Sequence, residues 1–596
     1  MWTVGGDPAF GMNLASALTG ALACGLFVVL IAMLTGSTIA ALFGGLLLAG
    51  SYTFWSQSVI AEVYALHILL TTATLIALVY WTRRPQSVKR LAAVFAIYAL
   101  GFGNHLMMVL LAPTIVAAIA LLSPDGVRTL LRPRTIALAA LLAALGSLQY
   151  LWNLLYLWSQ PYPPGNLLEG LQIFWFDVTK SDWRESLVLG ISETAFKRRV
   201  PMYGFDLRQQ IGAVGIALAL VGTVALMRQS LRLTLAFFAG YATALAFAIT
   251  YNVGDVHVFL LPSHIFVMLA AGCGAAAILD LPLSSMWGRS FMPRLGRGAR
   301  PRPHFYTAIG GAMAGAILMA YPTWRIYDTY PAVDRSGDRR PERRLEQLTA
   351  GVSAERSLLM ADLNWQLQNG LDYYLRHQRT DLNMLRANSR MLTLPLLIDD
   401  NRQHGREIVL TPGSRSLIEA AYGELYAIQE DPRSAPVPLS DLVRRLPQGS
   451  LYVLGVLRAY TDVPLDTADL ARTYGTLLGI QAVPLPPDDV YMVVAGPVGQ
   501  AAELVHHASR PFRVRAELGD LMLDVRMESW LPMDTMRRAG FGHVIVNRRH
   551  VLTLERGVSF VALDSRGGPL WTAYASSVYA PQPRYRIAPI ARRGEP

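Results

Sequence analysis

The sequence predicts a polytopic α-helical membrane protein that continues into a soluble α/β domain and ends in a small β-rich module. Three observations predict it. Hydrophobic residues make up 53% of the 596 residues and charged residues only 16%, against about 25% charged in ordinary soluble domains. The apolar excess lies in long runs, such as Ala21 to Leu34, Thr38 to Leu48 and Ile136 to Leu145. After Tyr321 the composition becomes mixed, with clusters of opposite charge such as Asp334 to Arg344.

Apolar spans fall near residues 11–34, 37–55, 64–82, 91–103, 106–122, 135–157, 209–228, 231–250, 257–280 and 304–321. A helix needs roughly 20 apolar residues to cross hydrocarbon. Helices are the expected solution there, because inside lipid the backbone must satisfy its own hydrogen bonds. The loops between spans alternate in charge. Arg83, Arg84, Lys89 and Arg90 follow the third span, and Arg128, Arg132 and Arg134 the fifth. Arg228 and Arg232 follow the seventh, and Arg289, Arg294, Arg297, Arg300 and Arg302 the ninth. The opposite short loops, 56–63 and 251–256, contain no Lys or Arg and carry Glu62 and Asp255. Positive loops face the cytoplasm. This places the long loop 158–208 and everything after about residue 322 outside. It places Met1 outside too, and residues 1–10 hold no signal peptide or basic anchor, so at least one further span is expected ahead of it.

In the C-terminal part, helical patterns alternate with short β-like runs at Ser357 to Met360, Ile408 to Leu410, Ser450 to Val456 and Val490 to Val494. This predicts an α/β domain over 322–500. From 501 to 596 the pattern is strands and turns, with runs at His543 to Val546, Val551 to Leu554 and Val558 to Leu563 and a turn at Ser565-Arg566-Gly567-Gly568.

The net charge of +11 is read as topology rather than nucleic-acid binding, because no Lys/Arg run with interleaved aromatics sits on a polar scaffold. Two cysteines, Cys24 and Cys273, both in apolar spans, allow no disulfide framework and no Cys/His zinc site. His506-His507 has no metal partner at useful spacing. Asp362, Asp372 and His377 read as surface or capping residues.

Polar residues beside long apolar spans are costly and therefore mark candidate sites. Four clusters fall at the predicted outer ends of helices. The first runs from Phe54-Trp55-Ser56 to Glu62-Val63-Tyr64-Ala65-Leu66-His67, and the second is Gly101-Phe102-Gly103-Asn104-His105. The third holds Asp177, Lys180, Asp182, Trp183 and Arg184, with Lys197, Arg198 and Arg199 after it; the fourth is Tyr251-Asn252-Val253-Gly254-Asp255-Val256-His257. Arg and Lys in this setting would hold a phosphate. A carboxylate or His would deprotonate an acceptor hydroxyl, and Trp55, Tyr64 and Trp183 would stack on sugar or line the interfacial belt. Each cluster also has a plainer reading. Glu62 can cap a helix, Asn104 and His105 can be a satisfied helix end, Asp255 can belong to a turn, and the basic run 197–199 can bind bulk phospholipid.

These clusters resemble the protein O-mannosyltransferase family typified by transmembrane protein 260. The residues that carry the resemblance are Gly6-Asp7-Pro8-Ala9-Phe10, Asn13-Leu14, Ser16-Ala17, Phe54-Trp55-Ser56, Glu62-Val63-Tyr64-Ala65-Leu66, Gly103-Asn104-His105 and Tyr251-Asn252 with Gly254-Asp255, spread over about residues 5–275. The resemblance implies a GT-C type bundle of about ten transmembrane helices. Its site would face the lumen or periplasm, using a polyprenyl-phosphate sugar, with mannose the candidate, and a protein or glycan hydroxyl as acceptor. It implies Glu62, Asn104, His105 and Asp255 as site-lining positions, and together with the polar clusters this makes Glu62, Asp255 and His105 the catalytic candidates. Trp55, Tyr64, Asn104, Asn252, Lys180, Asp182, Trp183, Arg184, Arg198 and Arg199 are the donor-side candidates. No cofactor is expected beyond the lipid-linked donor; no metal-ligating residues are singled out, and the sequence does not decide the need for a divalent metal. The expected partners are membrane lipid, donor and acceptor, with no nucleic acid, and the expected location is a bacterial inner membrane with the C-terminal domain periplasmic. The family opens with a further helix and an acidic outer loop where the catalytic carboxylate of GT-C enzymes is expected; this sequence starts after that point. The end segment, Gly540-Phe541-Gly542 to Asp564, weakly resembles the interleukin-like EMT inducer domain. Two other function classes fit a polytopic chain: a transporter or flippase of lipid-linked sugars, against which the absence of an internal repeat argues, and a non-catalytic envelope scaffold.

Overall fold

The apolar runs begin with residues that cap helices. Asp7 accepts from the Ala9 amide at 2.9 Å to start helix Pro8–Thr35, Ser37 accepts from Ala40 at 3.3 Å to start Thr38–Ala49, and Ser87 accepts from Arg90 at 3.4 Å to start Val88–Gly101. The computed structural model describes residues 7–160, 163–179, 191–253, 256–280, 303–353, 355–363, 365–423, 425–431, 438–457, 467–478, 491–508, 512–531, 539–554, 557–575 and 584–588. They form two units: Met1–Val333 with Glu528–Gly540, and Asp334–Met527 with Phe541–Pro596.

The first unit is helical. Among the described residues, five helices are long and apolar enough to cross a membrane, or six if a pair bent by 68°, Thr38–Ala49 and Tyr52–Ser58, counts as one span. Val88–Gly101 has 14 residues, and Leu106–Leu122 opens with a tight 3-10 turn, so two of the expected spans are shorter than a full crossing. The helices are apolar on their outward faces as well as their inner ones. Leu141, Leu145, Leu148, Trp152 and Leu155 are all exposed along Pro133–Ser159. Water would penalise such a surface at about 25 cal/mol per Å²; lipid does not. The first unit is therefore that of an integral membrane protein.

Two glycine features shape this bundle. The helix Glu193–Thr250 is broken at Gly212 (φ +67°) and Ser230. At Gly212 a side chain would strain the backbone and collide with the Tyr321 hydroxyl, which donates to the Ile211 carbonyl at 2.7 Å. Further along, Gly222 and Gly274 face each other so closely that a Cβ on either would meet the other helix's backbone.

The long outer loop expected over 158–208 is largely helical where it is described, with Leu167–Thr179 first and residues 193–208 continuing into the next span. Pro201, Gly204 and the charges around them read as loop in the sequence. They are tolerated here because the helix's polar side chains find buried partners, described below.

Among the described residues, the part of the chain after Asp334 carries three sheets. The first has the spatial order Met384–Arg386, Ser357–Ala361, Glu407–Leu410, Tyr585–Ala588, Ala427–Glu430. Its first three strands are parallel, and Tyr585–Ala588 is inserted antiparallel to both its neighbours. Arg584 and Arg586 anchor that insertion on the buried Asp431, at 3.4 and 3.1 Å. The second sheet is antiparallel throughout, in the order Pro569–Ala575, Gly557–Leu563, Leu451–Leu457, Tyr491–Pro497, Leu504–Ala508. The third runs Arg549–Leu554, Ala539–Val546, Leu521–Leu531, Arg513–Leu518. The β-like runs singled out in the sequence are strands, but the boundary drawn at 500 does not separate two modules. Gly557–Leu563 pairs along its whole length with Leu451–Leu457, with Phe560 opposite Leu454. A strand buried on both faces reads as one apolar run and does not disclose its partner.

Candidate functional site at the helix ends

The segment between Tyr52–Ser58 and Tyr64–Thr82 turns at Glu62, whose amide donates to the Ile60 carbonyl at 2.8 Å. Its own carbonyl receives the Ser16 hydroxyl at 3.3 Å. Glu62 is half-buried just ahead of a helix start. The neighbouring Val63 carbonyl accepts the Asn104 side-chain amide at 3.0 Å, which ties the 62–64 turn to the 101–105 turn. The second turn is held from behind by Tyr150, whose hydroxyl donates to the Phe102 carbonyl at 2.7 Å. Asn104 is thus a positioning residue that holds the two turns together.

His105 caps the tight turn Leu106–Leu111, its Nδ1 accepting the Met107 amide at 3.1 Å. A ring whose Nδ1 accepts carries its proton on Nε2 when neutral. His105 therefore presents a hydrogen-bond donor. That suits a phosphate or sugar oxygen and does not suit the general-base role open to it in the sequence. Three rings surround it: Tyr64 and His67 at 5.9 Å between centroids, and Phe259 at 6.4 Å. Tyr251 packs on Phe259 at 4.8 Å. The first, second and fourth sequence clusters thus converge. Asn252, next to Tyr251, is buried, and its Oδ1 has no hydrogen-bond partner among the described residues. His67 completes the wall from one helical turn beyond Tyr64. It was visible in the sequence as an i, i+3 partner on the same face but was not selected as a site residue. Trp55 stands apart from this ring group, half-buried, 6.1 Å from Tyr330.

Arg199 differs from its sequence reading. It is fully buried, and its Nη1 donates to the carbonyls of Ala248, Ile249 and Tyr251 at 3.4, 2.9 and 2.6 Å. These are the last carbonyls of the helix that ends at Thr250 and the first of the Tyr251 turn, groups a helix leaves unsatisfied. Arg199 is a helix-end clamp that positions Tyr251 and Asn252, not a surface cation available to a phosphate. The side chain of Arg198, and Lys180, Asp182, Trp183, Arg184 and Asp255 as a whole, lie outside the described residues, as does the Arg loop 289–302.

Sequence reasoning missed a second polar group in the bundle. Asp206 lies 3.1 Å from His264 Nε2, both buried. Gln210 donates to Asp206 Oδ1 at 3.2 Å and to the Thr53 hydroxyl at 2.7 Å, while its own oxygen accepts the Thr53 amide at 3.0 Å. Tyr203 stacks on His264 at 5.9 Å and meets Tyr241 at 3.1 Å. This network joins the short helix bearing Trp55 to the helix that starts just after Phe259. Its only sequence signal was the spacing of Tyr203, Asp206 and Gln210 at helical intervals, which straddles the boundary between the segment read as loop, 158–208, and the span read from 209.

On an apolar helical bundle, two turns and a helix start thus gather Tyr64, His67, His105 and Phe259 into one ring group, with Glu62 in the turn just ahead of Tyr64. A family model, described as the protein O-mannosyl-transferase TMEM260 N-terminal domain, matches residues 1–125; that stretch contains Trp55, Glu62, Tyr64, His67, Asn104 and His105. No curated protein matches the chain. Among solved structures, ArnT from Cupriavidus metallidurans bound to undecaprenyl phosphate is 14% identical, with 70% of this chain and 81% of that chain covered and a TM-score of 0.42. The same protein in the apo state gives 15%, 70%, 81% and 0.40. The Archaeoglobus fulgidus oligosaccharyltransferase complex with Zn and sulfate is 13% identical, with 74% and 60% covered and a TM-score of 0.37.

Proposed function

We propose that this protein is a membrane glycosyltransferase that moves a sugar, mannose in the first instance, from a polyprenyl-phosphate donor to a protein or glycan hydroxyl on the outer face of a bacterial inner membrane. The observation that carries the reading is that the residues matching the O-mannosyl-transferase model include both turns that build the Glu62–Tyr64–His105 cluster. In this reading the lipid tail lies along the apolar bundle and the phosphate reaches the interface. His105 Nε2–H donates to a phosphate oxygen and stabilises the leaving group. Tyr64 and Phe259 flank the sugar. Glu62, in the turn that leads into Tyr64, orients or deprotonates the acceptor hydroxyl.

The test is transfer of labelled mannose from polyprenyl-phosphate mannose in membranes that express the protein. Glu62→Gln and His105→Asn are expected to fall at least about 100-fold in rate, the scale of a lost acid–base or charge-stabilising group, with expression and melting unchanged. Wild-type rates in both variants would end the assignment. Movement of the lipid-linked sugar across vesicles without any transfer would favour a flippase instead.

A further inference from the structure

The second unit holds a cleft that the transferase reading does not use. It lies where the segment leading into helix Arg340–Thr349 meets the strands Arg549–Leu554 and Pro569–Ala575. Arg339, Arg343, Arg549 and His550 line it together with Trp571 and a single acid, Asp338. Arg339 has a carboxylate partner, Glu342, at 3.3 Å. Arg343 and Arg549 are exposed and have none among the described residues. Behind the wall, Arg335 donates to His550 Nε2 at 2.6 Å and so adds another positive charge. Trp571 is half-buried, and its indole stacks on the core residue Phe560 at 5.0 Å and 30°. That contact fixes the ring as a rigid wall of the cleft.

We propose that this cleft binds an anionic saccharide. Guanidinium groups recognise carboxylate or phosphate bidentately, and two of them here, Arg343 and Arg549, have no acidic partner among the described residues. An immobile indole offers an apolar face with a negative quadrupole, complementary to the polarised C–H face of a pyranose ring. Asp338 supplies an acceptor for ring hydroxyls. That same acid disfavours a dense polyphosphate, which would bring charge against it; a sugar carrying one carboxylate or phosphate per ring does not. The inference does not rest on the transferase reading. If both hold, the cleft serves to retain an acidic glycan on the same polypeptide as the transferase.

The experiment is isothermal titration of the full-length chain in detergent with hexagalacturonate. Maltohexaose serves as a neutral hexasaccharide and inorganic phosphate as a bare anion. Binding of hexagalacturonate, at least about tenfold tighter than either control, is expected, and it should weaken as salt is raised. The exposed pair Arg343→Ala/Arg549→Ala should lose at least about tenfold in affinity while melting as the wild type does. Trp571→Phe, which keeps the stack on Phe560, should lose affinity for the saccharide and leave that for phosphate unchanged. No binding of hexagalacturonate overturns the proposal. So does equal binding of phosphate, equal binding of maltohexaose, or affinity that neither variant alters. A nucleotide that binds more tightly than hexagalacturonate, with the same dependence on Trp571, would replace the saccharide with a base-stacking ligand.

Discussion

Replacing Arg199 with Met separates a structural clamp from a donor ligand. The guanidinium is fully buried and meets three carbonyls, two of them at 2.9 Å or less. Hydrogen bonds from a charged group contribute about 1.5–3 kcal/mol each, and a cation at a helix C-terminus adds up to about 2 kcal/mol when partly buried. The Met side chain recovers some packing and removes the cost of burying a charge. It nevertheless leaves those carbonyls without a donor in a region where water is scarce, so a net loss of about 3–5 kcal/mol is expected. Thermal unfolding of the purified protein in detergent, followed by intrinsic fluorescence, should show a fall of several degrees. Arg199→Lys should fall less than Arg199→Met, because a single nitrogen, Nη1, serves all three carbonyls and an ammonium also brings its donors on one nitrogen. Donor affinity should drop only as the Tyr251 turn loosens. A wild-type melting curve together with selective loss of polyprenyl-phosphate binding would refute the clamp and return Arg199 to the donor site.

Asp206→Ala should destabilise by about 3–5 kcal/mol, since it strands His264 and part of Gln210 in the core, and a melting curve unchanged from wild type would show the network to be dispensable. Gly222→Ala should cost at least about 1–3 kcal/mol by forcing apart two helix backbones; retained expression and melting would contradict the close approach. In the second unit, Asn547 and Arg548 both have positive φ, 47° and 66°, in the two-residue turn joining Val546 to Arg549. Arg548→Gly should therefore stabilise by about 0.5–1 kcal/mol, read as a raised melting temperature. His105→Asn should keep the cap on Met107 through its side-chain oxygen and lose only the distal N–H. Folding should then be intact and turnover low, whereas full turnover would place the donor elsewhere.

Much of the bundle was legible because hydropathy reports burial in lipid directly. The C-terminal strands at 357, 408, 451, 491 and 558 were legible for a related reason, being short apolar runs bounded by turns. Their partners were not, because pairing such as Val561 with Val453 is a long-range choice that an all-apolar strand does not encode. At the site, the turns at Glu62 and His105 stood out as polar residues next to apolar spans. The same rule failed for Asp206 and Gln210. They sit among Pro201, Gly204 and Arg208, so their helical spacing was masked by residues that ordinarily end helices. Arg199 shows a different limit. Its charge could be read from the sequence, but whether that charge meets a lipid phosphate or the protein's own carbonyls depends on where the helix at Thr250 stops.

The most direct test of the central claim is to locate the lipid phosphate. A polyprenyl phosphate carrying a photoreactive group near the phosphate should crosslink, in membranes, to peptides containing residues 62–67, 103–107 and 251–259, and mannosyl phosphate lipid should compete. Labelling spread along the outward faces of Pro8–Thr35 and Pro133–Ser159, with no enrichment at those three segments, would contradict the account.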